Sequence, residues 1–333
     1  MARGDRMLEL PTAAVYLAEA EWRAGDEDAA DRAADLALQA ARRHGSNHML
    51  LQALADFPAV VSRRIDGERD ADSTWHELGR ALLAQGAALT VPVRSSVHLR
   101  EFGTCAILVN GRQERPRIAK TYELLAYLTA RPDAAADREE LLHALFDGRA
   151  DESARAYLRQ AVRWLRHVLP EDEALVMEEG RLRLEGAGVV SSESTRLESR
   201  IAEAARQHGE DRLAATVDAL AIYDRGEYLP CGRSVWTDDR RRALAELTAE
   251  ARHGAAELAF AQGRYAEADR LIADVLAADP TREVSWRLLM RLAGALGDQD
   301  RVIRTYHACE RALAAVGAAP AASTRELLGH LRR

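Results

Sequence analysis

The residues best placed to do chemistry in this 333-residue chain are four arginines that recur at spacings of four, four and three. They are Arg155, Arg159, Arg163 and Arg166. At about 100° per residue in an α-helix, their side chains fall within an arc of roughly 80°. Apolar residues occupy the facing side of the same helix: Ala154, Leu158, Ala161, Val162, Leu165 and Leu169. The pattern predicts a helix that packs through one face and presents positive charge on the other, which suits a DNA backbone or a major groove.

The charge of the whole chain limits what this arginine stripe can do. The sequence holds 46 lysines and arginines against 53 aspartates and glutamates, a formal net charge of −7. This excludes a histone-like or wholly basic protein, since non-specific binding to nucleic acid needs a broad positive field. Any contact with DNA must therefore be local. The alternative is that the stripe is only a solvated helix face, which is common for arginines on amphipathic helices.

Enzyme chemistry has no support in the sequence. Lys120 is the only lysine, and Glu114 and Ala119 replace the glycines that a nucleotide phosphate-binding loop requires before it. His44 and His48 have metal-ligand spacing, but the Gly-Ser pair between them predicts the end of a helix. No hydrolase, metalloprotease or Cys-x-x-Cys motif occurs. We expect a protein that is not an enzyme and that has no cofactor, no metal and no small-molecule substrate.

The cysteines and the hydropathy pattern bear on the compartment. The three cysteines are odd in number and far apart in the chain: Cys105, Cys231 and Cys309. Neither a disulfide framework nor a zinc ribbon is indicated, so we interpret them as ordinary thiols in a reducing compartment. No window approaches 18 uninterrupted apolar residues, and the N-terminus lacks the apolar region of a signal peptide. The sequence predicts a cytoplasmic protein with no membrane partner.

The N-terminal 92 residues have helical periodicity. Four helices are predicted: Thr12–Ala24, Glu27–Arg43, Met49–Ser62 and Ser73–Gln85. Gly25 separates two amphipathic stretches, as the turn of a helical repeat does, so the segment is predicted to be tetratricopeptide-like. Helical periodicity is lost in residues 89–96 around Pro92, which predicts a linker.

The central segment changes to period-two alternation at Val97. Asn110-Gly111 lies between two strand-like runs and favours a type I′ hairpin, because both residues tolerate positive φ. Three helices are predicted to follow, the last two with aspartate N-caps: Ile118–Ala130, Asp137–Phe146 and Asp151–Leu169. The run LVMEEGRLRLE then predicts a second hairpin. Strands, three helices and a hairpin in this order predict a winged helix-turn-helix.

A winged helix offers DNA its third helix for the major groove and its hairpin for the flanking minor groove or the backbone. Arg155 and Arg159, in the N-terminal half of the third helix, are predicted to reach base edges, where arginine pairs bidentately with guanine. Phosphate contacts are predicted for four further arginines: Arg163, Arg166, Arg181 and Arg183. Backbone amides at Lys120 and Thr121 are expected to add another phosphate contact.

The central and C-terminal segments resemble a known family. The resemblance to the winged-helix domain of SARP-type bacterial antibiotic regulatory activators rests on FGTCAILVNGR, LLAYL, REELLHALF and LRQAVRWLRHVL. The resemblance to the bacterial transcriptional activator domain of the same proteins rests on AIYDRGEYLPC, RRRALAEL, AADPTREVSWRLLMRLAGALGD, TYHACERAL and GAAPAASTRELL. It implies contacts with DNA and with RNA polymerase or a second protomer.

The C-terminal segment has a repeat of its own. Gly263 and Gly297 are 34 residues apart, which is the tetratricopeptide period. This period predicts stacked helices that serve as a partner surface or only as a scaffold.

The chain departs from the family pattern in three ways. Trp164 replaces a charged residue and is predicted to pack on a neighbouring domain. Residues 191–194, SSES, replace an acidic residue at the start of the activator domain. Segment 97–185 carries 14 basic and 16 acidic residues, a net charge of −2, which predicts weak or salt-sensitive DNA affinity.

The predicted fold is mainly α, in three parts: a tetratricopeptide-like segment 1–92, a winged helix-turn-helix 97–186 with small antiparallel sheets, and a tetratricopeptide-like activator domain 190–333. The first part resembles the end of a longer tetratricopeptide sensor region, of the kind attached to an ATP-binding module in large bacterial regulators. Two explanations follow from this resemblance: the protein is a split or truncated relative that kept the repeats, or the sequence is a fragment of a longer chain. We expect a sequence-specific regulator of transcription that binds double-stranded DNA at promoter repeats. Its alternative is an interaction scaffold whose winged helix no longer reads DNA. Burial of Arg155, Arg159 and Arg163 against N-terminal acids would favour the scaffold.

Overall fold

Helices dominate the part of the chain that is described, as its alanine- and leucine-rich sequence predicts. The structure is a computed structural model that describes residues 9–66, 68, 73–87, 89, 97–169, 175–178, 180–184 and 190–332. The predicted mainly α fold with small sheets is confirmed. Most of the predicted linker 89–96 lies outside the described residues.

The described residues of the N-terminal part form five helices: α1 (Leu10–Ala24), α2 (Glu27–His44), α3 (His48–Asp56), α4 (Pro58–Asp66) and α5 (Thr74–Ala84). Gly25 follows α1 in the left-handed region at φ 86°, and Asp26 caps α2 by accepting a 2.8 Å hydrogen bond from Ala29 N. Buried alanines on α1 and α2 let these two helices approach closely and share one apolar core with α3, α4 and α5. The predicted helix-turn-helix around Gly25 is therefore confirmed.

The predicted continuous helix Met49–Ser62 is wrong. The chain leaves the helical conformation at Phe57, with φ −128° and ψ 65°, and a new helix starts at Pro58. Proline causes the break because the residue before it avoids the helical region, whereas proline itself suits the first turn of a helix. His44 ends α2 and His48 starts α3, so the two histidines lie on different helices, as expected.

In the described part of the chain, seven strands form two sheets: β1 (Val97–Arg100), β2 (Ala106–Val109), β3 (Arg112–Glu114), β4 (Ala135–Asp137), β5 (Leu175–Glu178), β6 (Arg181–Leu184) and β7 (Val190–Ser192). The first sheet has the order β3-β2-β1-β7. Asn110 at φ 50° and Gly111 at φ 80° form the predicted turn between β2 and β3. The strand β7 was not predicted, and it pairs with β1 in the parallel sense, with Val97 opposite Val190.

Three helices lie between the first sheet and the second hairpin: α6 (Lys120–Thr129), α7 (Arg138–Phe146) and α8 (Glu152–Val168). Asp137 caps α7 by accepting from Glu140 N at 2.7 Å, and Asp151 caps α8 by accepting from Ala154 N at 2.8 Å. Both predicted caps and the predicted β5–β6 hairpin are confirmed. The short β4 was missed; it adds to β6 in the order β4-β6-β5 and so fixes the hairpin to the start of α7.

Seven helices form the C-terminal part: α9 (Glu193–Ala204), α10 (Gly209–Tyr223), α11 (Val235–Ala261), α12 (Tyr265–Ala278), α13 (Glu283–Ala295), α14 (Gln299–Ala314) and α15 (Ala322–Leu331). Gly263 and Gly297 follow α11 and α13 at φ 74° and 71°, as the 34-residue period predicts. Helix α11 packs on α12, and α13 packs on α14. The stacked helical pairs expected from the sequence are present.

Two buried glutamates join the first sheet to the C-terminal helices. Glu101 Oε2 accepts a 2.6 Å hydrogen bond from Ser194 N, and the hydroxyl of Tyr228 donates to Glu101 Oε1 at 3.1 Å. Glu193 Oε2 accepts hydrogen bonds from the backbone nitrogens of Glu101 and Phe102, at 2.9 and 3.1 Å. Both glutamate side chains are fully buried. We call Glu101 and Glu193 the carboxylate joint; it satisfies backbone groups where the two parts of the chain meet.

The two glutamates of the carboxylate joint titrate in opposite directions. Burial acts to raise the pKa of Glu193, but the hydrogen bond from His98, the two backbone amides and the charge of Arg225 lower that pKa to about 2. Burial raises the pKa of Glu101 above its usual value, against the opposing hydrogen bond from Ser194. At neutral pH Glu193 is therefore ionised and pairs with Arg225.

A disulfide crosses the same junction and corrects the prediction of three free thiols. Cys105, in the loop before β2, is bonded to Cys231, in the loop between α10 and α11, over a sequence separation of 126 residues. Cys309 is free and buried. The sequence could not indicate the pair, because only the docking of the two loops brings these sulfurs together. The prediction of a reducing compartment therefore loses the cysteine argument.

Replacement of Cys105 and Cys231 by serine is expected to lower the free energy of unfolding by about 2–4 kcal/mol, because the cross-link limits the unfolded chain across a long loop. Chemical denaturation of the oxidised protein and of the double variant measures the difference. Cys309→Ser is the control for loss of a thiol outside the cross-link. Equal stability of the oxidised wild-type protein and the Cys105/Cys231 variant would contradict the prediction.

Candidate nucleic-acid interface

Helix α8 is the centre of the candidate site. It begins at the Asp151 cap and buries one apolar stripe in the core that it shares with α6 and α7. The stripe consists of Ala154, Leu158, Ala161 and Leu165. The four predicted arginines are exposed on the opposite side: Arg155, Arg159, Arg163 and Arg166. The structure therefore gathers these four side chains on one accessible face, as their spacing predicts.

The four arginines of α8 differ in the hydrogen-bond and ion-pair partners that their guanidinium groups have. Arg159 Nη2 pairs with Glu152 Oε1 at 2.6 Å, and this hydrogen bond lowers the pKa of the Glu152 carboxyl. Arg166 Nε donates to the backbone oxygen of Leu175 at 3.1 Å, which ties the end of α8 to β5. Among the described residues, Arg155 and Arg163 have no ion-pair partner. These two guanidinium groups are the ones most available to an anionic partner.

The hairpin β5–β6 places two further predicted arginines beside α8. Arg181 Nη2 lies 2.9 Å from Asp133 Oδ2, and Arg183 Nη2 lies 4.0 Å from Glu178 Oε2. Both side chains keep more than two fifths of their surface accessible. Exposed pairs of this kind contribute little to stability, so either arginine can exchange its carboxylate for a phosphate at small cost.

Two of the clefts beside α8 share Arg163 as part of their walls. The first has a volume of about 510 Å³ and lies between α7, α8 and the hairpin. The second has a volume of about 640 Å³ and lies between α8 and the segment that precedes α6. The first cleft adds Arg138 to the candidate site, and the second adds Arg117 and His167.

Arg117 and Arg138 are not among the predicted site residues, because neither belongs to the arginine stripe. The signal that could have found them is positional: Arg117 precedes the first helix of the three-helix unit, and Arg138 is the first residue of the second. Starts of helices that support a recognition helix commonly face the nucleic acid backbone. Both arginines sit in clefts that open beside α8.

The expected phosphate contact at Lys120 and Thr121 is not supported. Thr121 is fully buried. Lys120 Nζ pairs with Glu123 Oε1 at 3.0 Å and lies 5.3 Å from the ring centroid of Phe146. The start of α6 is thus occupied by its own side chains. Trp164, on α8, is half-buried against the core that the three-helix unit shares with the C-terminal helices, and it lines the second cleft.

The N-terminal helices do not cover the arginine face. Arg155, Arg159 and Arg163 are exposed, and the ion pair of Arg159 is made within α8. Helix α5 approaches the first sheet instead, where Glu77 and Arg80 line a cleft together with His98. The burial against N-terminal acids that would favour a scaffold is absent from the described residues.

Two other kinds of feature are absent from the described residues. No group of three or more histidine, cysteine, aspartate or glutamate side chains in these residues is arranged to hold a metal ion. Within the same residues, no helix is long and apolar enough to span a membrane.

Comparison with known proteins identifies the C-terminal part of the chain. Residues 191–332 match the family described as bacterial transcriptional activator domain, which confirms the predicted resemblance for that segment. No curated protein sequence matches the chain. The solved structure of Mycobacterium tuberculosis EmbR in complex with a low-affinity phosphopeptide is similar to this chain, with a TM-score of 0.62 and 21% sequence identity. The likeness covers 72% of this chain and 65% of the EmbR chain, and at this identity it shows a shared fold alone.

Proposed function

We propose that this protein is a SARP-type regulator of transcription that reads double-stranded DNA through α8 and the β5–β6 hairpin. The single observation that carries the proposal is the exposed arginine face of α8. Helix α8 is the third helix of its unit, and the segment that follows this unit matches the bacterial transcriptional activator domain family. In this proposal residues 97–186 form the winged helix-turn-helix, residues 190–333 the activator domain, and residues 1–92 a tetratricopeptide-like segment. The proposed activity is regulation of transcription, not catalysis.

The roles of the arginines follow from their places on the two elements. Arg155 and Arg159 lie in the N-terminal half of α8, which enters the major groove most deeply in this mode of docking, and arginine there pairs with guanine O6 and N7. Arg163, Arg166, Arg181 and Arg183 lie farther along the helix or on the hairpin and contact phosphates. Arg159 exchanges its Glu152 partner for a base on binding.

The C-terminal helices supply a second surface in the proposal. Stacked helical pairs leave a concave side that suits a protein partner, which is RNA polymerase or a second protomer bound to an adjacent promoter repeat. The carboxylate joint and the Cys105–Cys231 bond hold α9 and the loop before α11 against the first sheet. DNA bound at α8 therefore orients the C-terminal surface for its partner.

Selection from a random pool of DNA duplexes, with the full chain at physiological salt, tests the proposal. We expect enrichment of one motif, present as a repeat if two protomers bind. No enrichment would contradict DNA reading and leave the interaction scaffold. The net charge of −2 over residues 97–185 is the observation that favours this second candidate, because it removes bulk attraction to DNA.

A further inference from the structure

The first cleft beside α8 combines an apolar floor with a cationic rim. Its floor consists of Leu141, Leu158, Val162 and Leu182, and its open side is bordered by Met177 on β5. Met177 leaves 52% of its surface exposed, so its thioether is accessible at the entrance of the cleft. A cleft of about 510 Å³ with mostly apolar walls has the size and character of small-molecule binding sites in proteins.

The rim of this cleft is formed by four guanidinium groups: Arg138, Arg159, Arg163 and Arg166. Arg138 and Arg163 have no ion-pair partner in the described part of the chain, and Arg166 uses only its Nε, on a backbone oxygen. No carboxylate of the described residues lines the cleft, and the one ion pair of its rim is the pair of Arg159 with Glu152 in the same part of the chain. Its field therefore favours an anion, and its floor favours an apolar body.

A DNA backbone would contact the cationic rim of the cleft but not its apolar floor. Phosphodiester groups would pair with the guanidinium groups but would leave the leucines and Met177 in contact with water or sugar. An apolar body with one anionic group satisfies the floor and the rim at once. Methionine at the entrance suits such an occupant, because its flexible thioether adapts to irregular shapes.

We propose that the cleft binds a small amphipathic anion, an apolar body that carries one carboxylate or sulfonate group, and that this ligand excludes DNA. The inference rests on the proposed function, since Arg159 and Arg163 line the cleft and also belong to the DNA face. The apolar body lies on Leu158, Val162 and Met177, and its anionic group pairs with Arg138 and Arg163. While these contacts exist, α8 cannot enter a major groove.

The first experiment measures the ligand site without DNA. The probe is 8-anilinonaphthalene-1-sulfonate, titrated into the full chain and followed by its fluorescence. We expect saturable binding to one site. Met177→Glu places an acid at the entrance and is expected to raise the Kd about tenfold, and Arg138→Ala is expected to raise it severalfold. Leu296→Glu is the matched control, because Leu296 is also 52% exposed but lies at the end of α13.

The outcomes of this titration decide whether the first cleft is the binding site of the probe. Non-saturable fluorescence, or the same Kd in Met177→Glu and in Leu296→Glu, would overturn the inference. Circular dichroism of each variant shows whether it is folded, and Arg138→Ala changes only an exposed side chain, so it tests the site if Met177→Glu does not fold.

The second experiment measures exclusion of DNA. A duplex from the selection is titrated with the probe present at its own Kd, and competition is expected to double the apparent Kd of the duplex. An unchanged duplex Kd would overturn exclusion. If the chain binds no duplex at all, the proposed function fails, while the fluorescence titration still decides the cleft, so the two failures are distinguishable.

Discussion

Replacing Arg155 and Arg159 together by alanine is expected to weaken binding to the selected duplex at least about thirtyfold. Each bidentate arginine–guanine pair contributes about 1–3 kcal/mol of discrimination, so loss of two pairs removes roughly 2 kcal/mol or more. Neither side chain is part of the core, since both lie on the exposed face of α8. The folded structure should therefore survive the change.

The measurement is a titration of the selected duplex and of a scrambled duplex at several salt concentrations. The double variant is expected to lose its preference between the two duplexes. Arg163→Ala, a proposed phosphate contact, should weaken both and reduce the slope of log K against log salt by about one. Arg304→Ala, an exposed arginine on α14, is the matched control. Retention of the preference in the double variant would contradict the assignment of Arg155 and Arg159.

Replacing Glu193 by glutamine is expected to lower the free energy of unfolding by about 3 kcal/mol at neutral pH. The pKa of Glu193 lies at about 2, below the ordinary glutamate pKa of 4.5, and this difference reflects how strongly the folded protein favours the carboxylate. Glutamine keeps the size of the side chain but not the charge that holds Arg225. Urea denaturation of both proteins measures the loss, and Glu203→Gln, at an exposed position on α9, is expected to change stability by less than about 0.5 kcal/mol.

The pH dependence provides a second test of Glu193. Because its pKa is lowered by folding, its contribution is fully present above about 4.5 and is lost as the pH falls through about 2. The difference in stability between the wild-type protein and Glu193→Gln should therefore shrink over this range. Glu101 has the opposite effect on the pH dependence of stability, because its pKa is raised and the folded protein loses stability as the pH rises through that pKa. Both proteins contain Glu101, so its contribution cancels in the difference between them. A constant difference from pH 5 to pH 2 would contradict the role given to Glu193.

Local signals predicted the helices of the central unit well. Asp137 and Asp151 were expected to cap α7 and α8, and both accept the backbone hydrogen bond that a cap requires. Asn110-Gly111 was expected to form a tight hairpin, and both residues have positive φ. These features depend on residues within a few positions of each other, so the sequence alone contains the information. The break at Phe57 is of the same kind, because the restriction that Pro58 places on the residue before it is local.

Long-range features could not be predicted in the same way. The parallel pairing of β1 with β7 needs residues about 90 positions apart, and three-residue strands give no periodicity to detect. Arg117 and Arg138 enter the candidate site only because α6 and α7 bring their starting residues beside α8. Glu193 was noted as part of a departure from a family pattern, but its burial against two backbone nitrogens depends on the docking of the first sheet.

The sequence by itself determined the arginine face of α8, because a period of 3.6 residues and one capping aspartate are enough to orient four side chains. Only the tertiary structure decided what surrounds that face: the cleft with its apolar floor, the disulfide and the carboxylate joint. The physical reason is range. Helix periodicity and capping act over one or two turns, whereas burial of a carboxylate or closure of a cleft requires partners that the chain brings together only when it packs.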